Sequence, residues 1–203
     1  MKITVLGAGN IGATLGKKWA AQGHDVIFGV RDVTAAKYQT LLETMTGQAA
    51  VAPTVEAAAA AEVIVLAIPG AAVNETLAQL GSTLADKIII DATNQISQAD
   101  MSAVATIAAA APQAKLFRAF NTLGWENFET PELDSVQIDL FYCGESSAGQ
   151  ETVDQLIADI GLRPVYLGGL DKAPVLDALT RLWFTLAYEQ GNGRRLAFKM
   201  LRA

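Results

Sequence analysis

Lys2-Ile-Thr-Val-Leu6 runs directly into Gly7-Ala8-Gly9-Asn10-Ile11-Gly12, and Ile11, Leu15 and Trp19 then recur at every fourth residue. A short β-rich run, a glycine turn and helical spacing, in that order, read as strand, tight turn and helix. Gly23 stops the helix after Gln22, and His24-Asp-Val-Ile-Phe28 resumes a buried-strand pattern. That closes one βαβ unit in about 30 residues. Within the G-x-G-x-x-G pattern, Gly7 permits the turn, Gly9 removes the side chain that would block a pyrophosphate, and Gly12 lets the helix pack closely on the strand. The free N–H groups at the helix start then face an anion. Gly7, Gly9, Asn10, Ile11 and Gly12 are therefore expected to hold a dinucleotide, against the competing reading of a glycine turn that packs without a ligand.

The alternation continues outward from this unit. A helix is expected from about Ala35 to Met45, closed by Gly47, then a short strand near Ala49 to Ala52 and an alanine-rich helix opening at Thr54. Strand Glu62 to Ile68, helix Ala71 to Leu80, strand Lys87 to Asp91, helix Ser102 to Ala111 and strand Lys115 to Asn121 follow. Residues 63 to 68 and 87 to 90 are continuously apolar, which suits a parallel sheet covered on both faces. Val136 to Cys143, the helix Ala148 to Ile160 and Leu162 to Leu167 extend the same sheet. A long helix, residues 173–190, places Val175, Leu179, Leu182 and Leu186 on one stripe with Leu176, Trp183 and Ala187 beside it. The expected fold is α/β: a Rossmann-type doubly wound, mostly parallel sheet with a C-terminal helical extension, residues 1–203 forming a single dinucleotide-binding domain.

Composition narrows the function classes. With 203 residues, 51% of them hydrophobic, the chain is long enough for one α/β domain with a substantial core. Its 15 Lys+Arg against 21 Asp+Glu give a net charge of -6, the wrong overall sign for coating nucleic acid or an anionic membrane. No nucleic-acid or membrane partner is expected. The longest apolar run, Val63 to Val73, is interrupted by Pro69 and Gly70 and is too short to span a bilayer. One cysteine cannot form an internal disulfide, and the first strand begins at Lys2 with no room for a secretory leader, so a cytoplasmic location is expected.

An NAD enzyme usually ends its second strand with Asp or Glu, which takes the ribose hydroxyls and repels a 2′-phosphate. Here Val30 occupies that position and Arg31 follows, where a planar guanidinium can grip the phosphate and lie against the adenine. NADP(H) is the expected cofactor. Asp32 is read as the N-cap of the next helix, its other available role being the ribose. The far side of the cofactor should meet the C-terminal ends of the strands. Ile68, Pro69 and Gly70 would bring backbone to the ribose there, and Asn94, Asn121 and Thr122 would bond the carboxamide or a second substrate, unless they serve their own turns.

His24 falls at the opposite end of the sheet and reads as structural, Cys143 as a small core residue, and no residue grouping suggests a metal. Neither a Tyr-Lys nor a His-Asp proton relay can be assembled from the sequence, so no catalytic side chain is assigned. Hydride transfer between two redox cofactors, which demands chiefly alignment of two ring faces with water excluded, fits that poverty of acid–base groups.

With these residues in place, the chain resembles the NADPH-dependent F-420 reductase family. The likeness spans nearly the whole length and rests on Val5-Leu-Gly-Ala-Gly-Asn-Ile-Gly12, Gly29-Val-Arg31, Val65-Leu-Ala-Ile-Pro69, Ile90-Asp-Ala-Thr-Asn94, Ala119-Phe-Asn-Thr122, Cys143-Gly144, Leu179-Thr-Arg-Leu-Trp183 and Gly191-Asn-Gly193. The same group includes the reductase domains of eukaryotic transmembrane ferric reductases, where a flavin replaces the deazaflavin. The resemblance implies hydride transfer between NADP(H) and a deazaflavin (coenzyme F-420) or flavin-type acceptor, an acceptor cleft partly lined by the C-terminal segment, and a homodimer. Members that use the deazaflavin tend to carry a bulky aromatic after the Ile-Pro pair and a histidine near the end of strand six, where this chain has Gly70 and Asn121. The acceptor thus stays open between deazaflavin, flavin and another small redox acceptor, and a non-enzymatic NADP(H) sensor is the alternative reading. The helix bearing Trp183 is expected to help form the dimer, and Arg194 or Arg195 to face an anionic group of the second substrate, unless both are solvated surface charges.

Overall fold

Eight strands line up as a single sheet in the structure, a computed structural model that describes residues 1–145 and 148–202. The first half of the chain lays down β1 (Lys2–Leu6), α1 (Asn10–Ala21), β2 (Asp25–Val30), α2 (Ala36–Glu43), β3 (Ala49–Pro53), α3 (Thr54–Ala60), β4 (Val63–Leu66) and α4 (Val73–Leu80). The second half adds β5 (Ile88–Asp91), α5 (Val104–Ala110), β6 (Lys115–Arg118), α6 (Trp125–Glu129), β7 (Glu132–Leu133), β8 (Val136–Gln137), β9 (Asp139–Gly144), α7 (Ala148–Asp159), β10 (Arg163–Tyr166) and α8 (Ala173–Phe184). A π-helical turn, Thr185–Glu189, continues α8. The sheet order is β10-β9-β6-β5-β4-β1-β2-β3, parallel throughout except where β6 meets β9. This is the doubly wound Rossmann architecture.

Alternation inside the apolar runs explains why both faces are covered. In β4, Val63 and Val65 point into a cluster with Leu15 and Trp19 of α1 and Leu156 of α7, whereas Ile64 and Leu66 meet Leu77 of α4 and Ile107 of α5 on the other face. Successive strand side chains point to opposite sides, so a strand buried on both must be apolar at every position. Each such side chain contributes about 1.5–3 kcal/mol relative to exposure. Trp19 also donates its indole Nε1 to the Leu156 carbonyl at 2.9 Å, which ties α1 to α7 beneath the sheet.

Several local expectations change. Strand six ends at Arg118 and not at Asn121, because Phe120 takes φ +63°, a left-handed conformation that no strand continues. The Val136–Cys143 run divides: Val136–Gln137 folds back on Glu132–Leu133 through Asp134 and Ser135, at φ +49° and +62°. A two-residue turn with both φ positive matches the twist of a tight hairpin. Asp32 does not cap α2, whose N-cap is Ala35; its Oδ1 instead accepts from the backbone N and hydroxyl of Thr34, forming a local turn. In α8 the inward face carries Leu176, Trp183 and Ala187, while Val175 and Leu182 of the expected stripe are 55% and 46% exposed. Asp177 and Thr180 turn inward in their place, a rotation that apolar periodicity cannot register.

Candidate active site

The loop between β1 and α1 is shaped by what a side chain would strike. A Cβ on Gly12 would lie 2.1 Å from the Gly7 carbonyl oxygen and 3.0 Å from Val5 Cγ1, so only glycine lets α1 approach β1 this closely. Gly7 turns at φ +93° with the Ala67 carbonyl 2.6 Å from where a Cβ would stand. Gly9 differs: a Cβ there would meet nothing within 4 Å. Open space in front of Gly9 is where the backbone can approach a diphosphate. Gly9 is also the N-cap of α1, with no side-chain cap and no acidic residue in the first turn. The first N–H groups and the positive end of the helix dipole are thereby left for an anion.

Two cavities flank this loop and share Gly9, Ala67, Ile68 and Pro69 in their walls. The first, about 230 Å³, runs past Gly7 and Gly29 to Arg31, Tyr38 and Thr76. Arg31 makes no ion pair or side-chain hydrogen bond among the described residues, so its guanidinium is free to meet a ligand phosphate. Glu75 lines the same cavity, with its Oε1 taken by Gln79 at 3.3 Å. Val30 does not line it: that side chain is 4% exposed and packs into the core, so it contributes backbone position and the absence of an acid.

The second cavity, about 460 Å³, opens over the C-terminal ends of β4, β5 and β6. Asn10, Ile11, Ile68, Pro69, Asn94 and Asn121 lie in its wall, opposite Trp125, Trp183, Phe184 and Tyr188. Gly70 sits at the rim in a separate groove with Asn94 and Ile96, where a Cβ would strike Gln95 Cγ at 2.3 Å. Thr122 is buried and lines neither cavity. Asn121 is aimed by its neighbours. Phe120, in its left-handed conformation, is clamped edge-on between Trp19 and Phe128 at 5.7 and 5.9 Å, and Asn121 Nδ2 donates to Thr180 Oγ1 at 3.0 Å. Its Oδ1 is buried with no partner among the described residues. A strained backbone held by packing beside an unpaired acceptor is the kind of arrangement functional sites retain.

Beneath the cavity floor lies a group that sequence reading missed. Arg118, fully buried, donates from Nη1 to Asp91 Oδ2 and the Thr93 carbonyl, both at 2.9 Å, and from Nη2 to Asn94 Oδ1 at 3.0 Å. Its Nε and Nη2 reach Asp177 Oδ1 of α8 at 2.9 and 2.6 Å. The two carboxylates also accept from backbone N–H groups around the start of α5: Ala103 on Asp91, Met101 and Ser102 on Asp177. One guanidinium thus joins the 91–94 loop, the 101–103 segment and α8, holding Asn94 from below. The available signal was a charged residue inside the otherwise apolar run around Leu116-Phe117, which a buried strand tolerates only when paired.

The tail after α8 is a strap and part of the wall. Arg194 Nε bonds Glu126 Oε1 at 2.5 Å, its Nη1 donates to the Tyr188 hydroxyl, and its guanidinium lies over the Trp183 ring at 5.6 Å. Arg195 is turned away from the cavity and donates to the carbonyls of Glu126, Thr130 and Glu132, satisfying the end of α6. Neither arginine is simply solvated, and of the two only Arg194 lines the aromatic-walled cavity. Further on, Lys199 Nζ and the Met200 N–H fasten to Asp139, which Arg163 also holds. Burial opposes the charge on Asp139, but the hydrogen bonds from Arg163, Lys199 and Met200 overcome it and hold its carboxyl below the usual range. Elsewhere, His24 Nε2 pairs with Asp159 Oδ2 at 2.7 Å, remote from both cavities. Cys143 is fully buried, and burial pushes its thiol up to about 11, so it is no nucleophile at neutral pH.

A glycine loop flanked by two adjacent cavities at the switch end of a doubly wound sheet defines a dinucleotide-dependent oxidoreductase. Residues 2–95 match the family described as NADP oxidoreductase, coenzyme F420-dependent. The F420-dependent NADP reductase of Methanothermobacter thermautotrophicus is 31% identical over 206 residues, covering 92% of this chain and 89% of that protein. The chain belongs to this family. Among solved structures, a putative F420-dependent NADP-reductase from Arthrobacter sp. FB24 superposes with a TM-score of 0.88 over the full length of both chains at 26% identity. A reductive aminase from Aspergillus terreus, in complex with NADPH and ethyl-5-oxohexanoate, matches at 28% identity and a TM-score of 0.70; the match covers 94% of this chain and 63% of that one. No helix among the described residues is long and apolar enough to cross a membrane.

Proposed function

We propose that this protein transfers hydride between NADP(H) and a deazaflavin or flavin-type acceptor. The observation that supports the reading is the pair of cavities that share Gly9 in their walls, one reaching Arg31, which has no partner among the described residues, and the other walled by aromatic rings. A dinucleotide laid across Gly9 would place its 2′-phosphate at Arg31, its diphosphate on the first turn of α1 and its nicotinamide beside Asn94 and Asn121. The Asn121 Oδ1, unpaired in the protein, is an acceptor for a carboxamide N–H. Bound NADPH supplies the hydride; the chain's own residues hold the two rings and exclude water between them. Trp125, Trp183 and Phe184 suit a planar acceptor, which they can stack against while fixing its face.

The exposed face of α8, with Val175 and Leu182, supports pairing as a homodimer, which sedimentation equilibrium tests directly: V175D/L182D should shift a dimer to monomer. The function itself is tested by an NADPH-oxidation screen with reduced cofactor and, in turn, F420, FMN and FAD. Turnover with one of these establishes the acceptor class. Tight NADP binding with no turnover on any acceptor would overturn the reading in favour of a non-enzymatic sensor.

A further inference from the structure

Tyr188, Arg194 and Glu126 form a hydrogen-bonded chain at the mouth of the acceptor cavity, and the direction of its bonds is fixed by chemistry. A guanidinium has five N–H donors and no acceptor. Arg194 therefore donates to the Tyr188 oxygen, and the phenol's own hydrogen is not consumed in that contact. No other described group receives it. The far end of the guanidinium is held by Glu126 at 2.5 Å, and hydrogen bonding to that carboxylate, against the cost of burial, raises the hold of Arg194 on its proton. The ring is equally fixed: it stacks on Phe184 at 5.7 Å and 18°, and meets the edge of Trp183 at 5.9 Å. Both Tyr188 and Arg194 line the acceptor cavity, and Tyr188 is 52% exposed, so solvent reaches it. The result is a phenolic O–H at the cavity mouth whose hydrogen no described group receives, with a permanent cation placed to stabilise the oxygen that remains when the proton leaves.

We propose that Tyr188 is the proton donor for acceptor reduction, with Arg194 as its positioning residue. The inference rests on the reductase reading above and deepens it by naming the acceptor chemistry: a planar molecule that takes hydride at one atom and a proton at a conjugated nitrogen or oxygen. In the forward direction a C–H bond of the reduced nicotinamide breaks and its electron pair forms the new bond on the acceptor. The Tyr188 O–H breaks as its proton joins the acceptor heteroatom. NADP+ and the reduced acceptor leave, and the phenolate beside Arg194 recovers a proton from water. The sequence alone offered no such group, because Tyr188, Arg194 and Glu126 meet only through the fold.

Tyr188→Phe keeps the stacked ring and removes only the hydroxyl. With the acceptor identified in the screen, it should lower kcat about 100-fold, the low end of the range for general acids. The wild-type protein should show a solvent deuterium isotope effect on kcat and an alkaline limb in its kcat profile, and both should vanish in Y188F. Binding offers a readout independent of turnover. Riboflavin titrated into the NADP+-loaded protein, followed by tryptophan quenching, should bind roughly two- to tenfold more weakly to Y188F, the value of one hydrogen bond, with NADP+ affinity unchanged. Arg194→Gln should lower kcat in the wild-type background and add nothing in Y188F, as expected for a group acting through Tyr188. Wild-type kcat and pH profile in Y188F, or unchanged riboflavin affinity, would overturn the proposal while leaving the reductase reading intact. A wild-type protein that binds NADP+ and oxidises NADPH with no acceptor overturns both.

Discussion

The phosphate loop is assembled by Gly7, Gly9 and Gly12, all within six consecutive residues, whereas the acceptor cavity is held by contacts that reach 59 residues from Arg118 to Asp177 and 68 from Arg194 to Glu126. At the loop, backbone geometry shapes the open space at Gly9 and side chains matter by their absence. At the cavity, side chains from β5, β6, α8 and the tail must all arrive before any of them is placed. The first region is a local motif that many sequences can carry unchanged; the second is a cooperative network in which one substitution is felt by every member.

That contrast breaks most visibly at Arg118. Replacing it with Met leaves Asp91 and Asp177 buried without their cation, and the loss should be about 3–5 kcal/mol of folding stability, read as a lowered urea midpoint. A variant as stable as the parent would mean the network is not cooperative. The loop side should fail in two separable ways. Gly12→Val forces a Cβ into the Gly7 carbonyl and should cost about 1–3 kcal/mol or more in stability. The Cβ of Gly9→Val meets nothing within 4 Å, so this variant should melt normally yet show no NADP+ binding by calorimetry. Retained binding in a folded Gly9→Val variant would move the diphosphate elsewhere.

A smaller effect sharpens the cofactor choice. Arg31→Ala should weaken NADPH by about 1.5–3 kcal/mol, the worth of a charge-assisted hydrogen bond, while NADH affinity stays level; equal losses for both would exclude Arg31 as the 2′-phosphate contact. The smallest concerns the strap. The folded carboxyl of Asp139 lies below its unfolded value of about 3.9, so its contribution to tail docking is complete above about pH 4 and disappears as pH falls through the lower folded value. Trp183, whose Nε1 donates to the Leu196 carbonyl of the strap at 2.8 Å, reports the release by fluorescence. Asp139→Asn should already show the released signal at neutral pH, and an acid transition identical to the parent's would remove Asp139 from the account.

Strand, turn and helix around Gly7 to Gly12, the place of Arg31 beside Val30, and the parallel character of the apolar strands β4 and β5 were all legible in the sequence. They rest on spacing and on the steric needs of single residues, and both are local. The ends of elements were less so. Phe120 left its strand because a left-handed φ is held there by Trp19 and Phe128 from other elements, and α8 turned Asp177 and Thr180 inward because Arg118 and Asn121 were waiting for them. Asn121 and Thr122 could both be singled out from their place after strand six, but the sequence does not tell that Asn121 lines the cavity and Thr122 does not. The direction of each side chain depends on that one strained φ.

The sequence by itself therefore determined the class of fold and the phosphate-binding end, since βαβ periodicity and glycine sterics need no distant partner. Only the tertiary structure decided which polar groups line the aromatic-walled cavity. Arg118, Tyr188, Arg194 and Glu126 carry no pattern along the chain; each acquires a role through a hydrogen bond to a residue that folding brings near. A buried charge or an aimed hydroxyl is a property of its surroundings, and those surroundings exist only once the sheet, α8 and the strap have closed on one another.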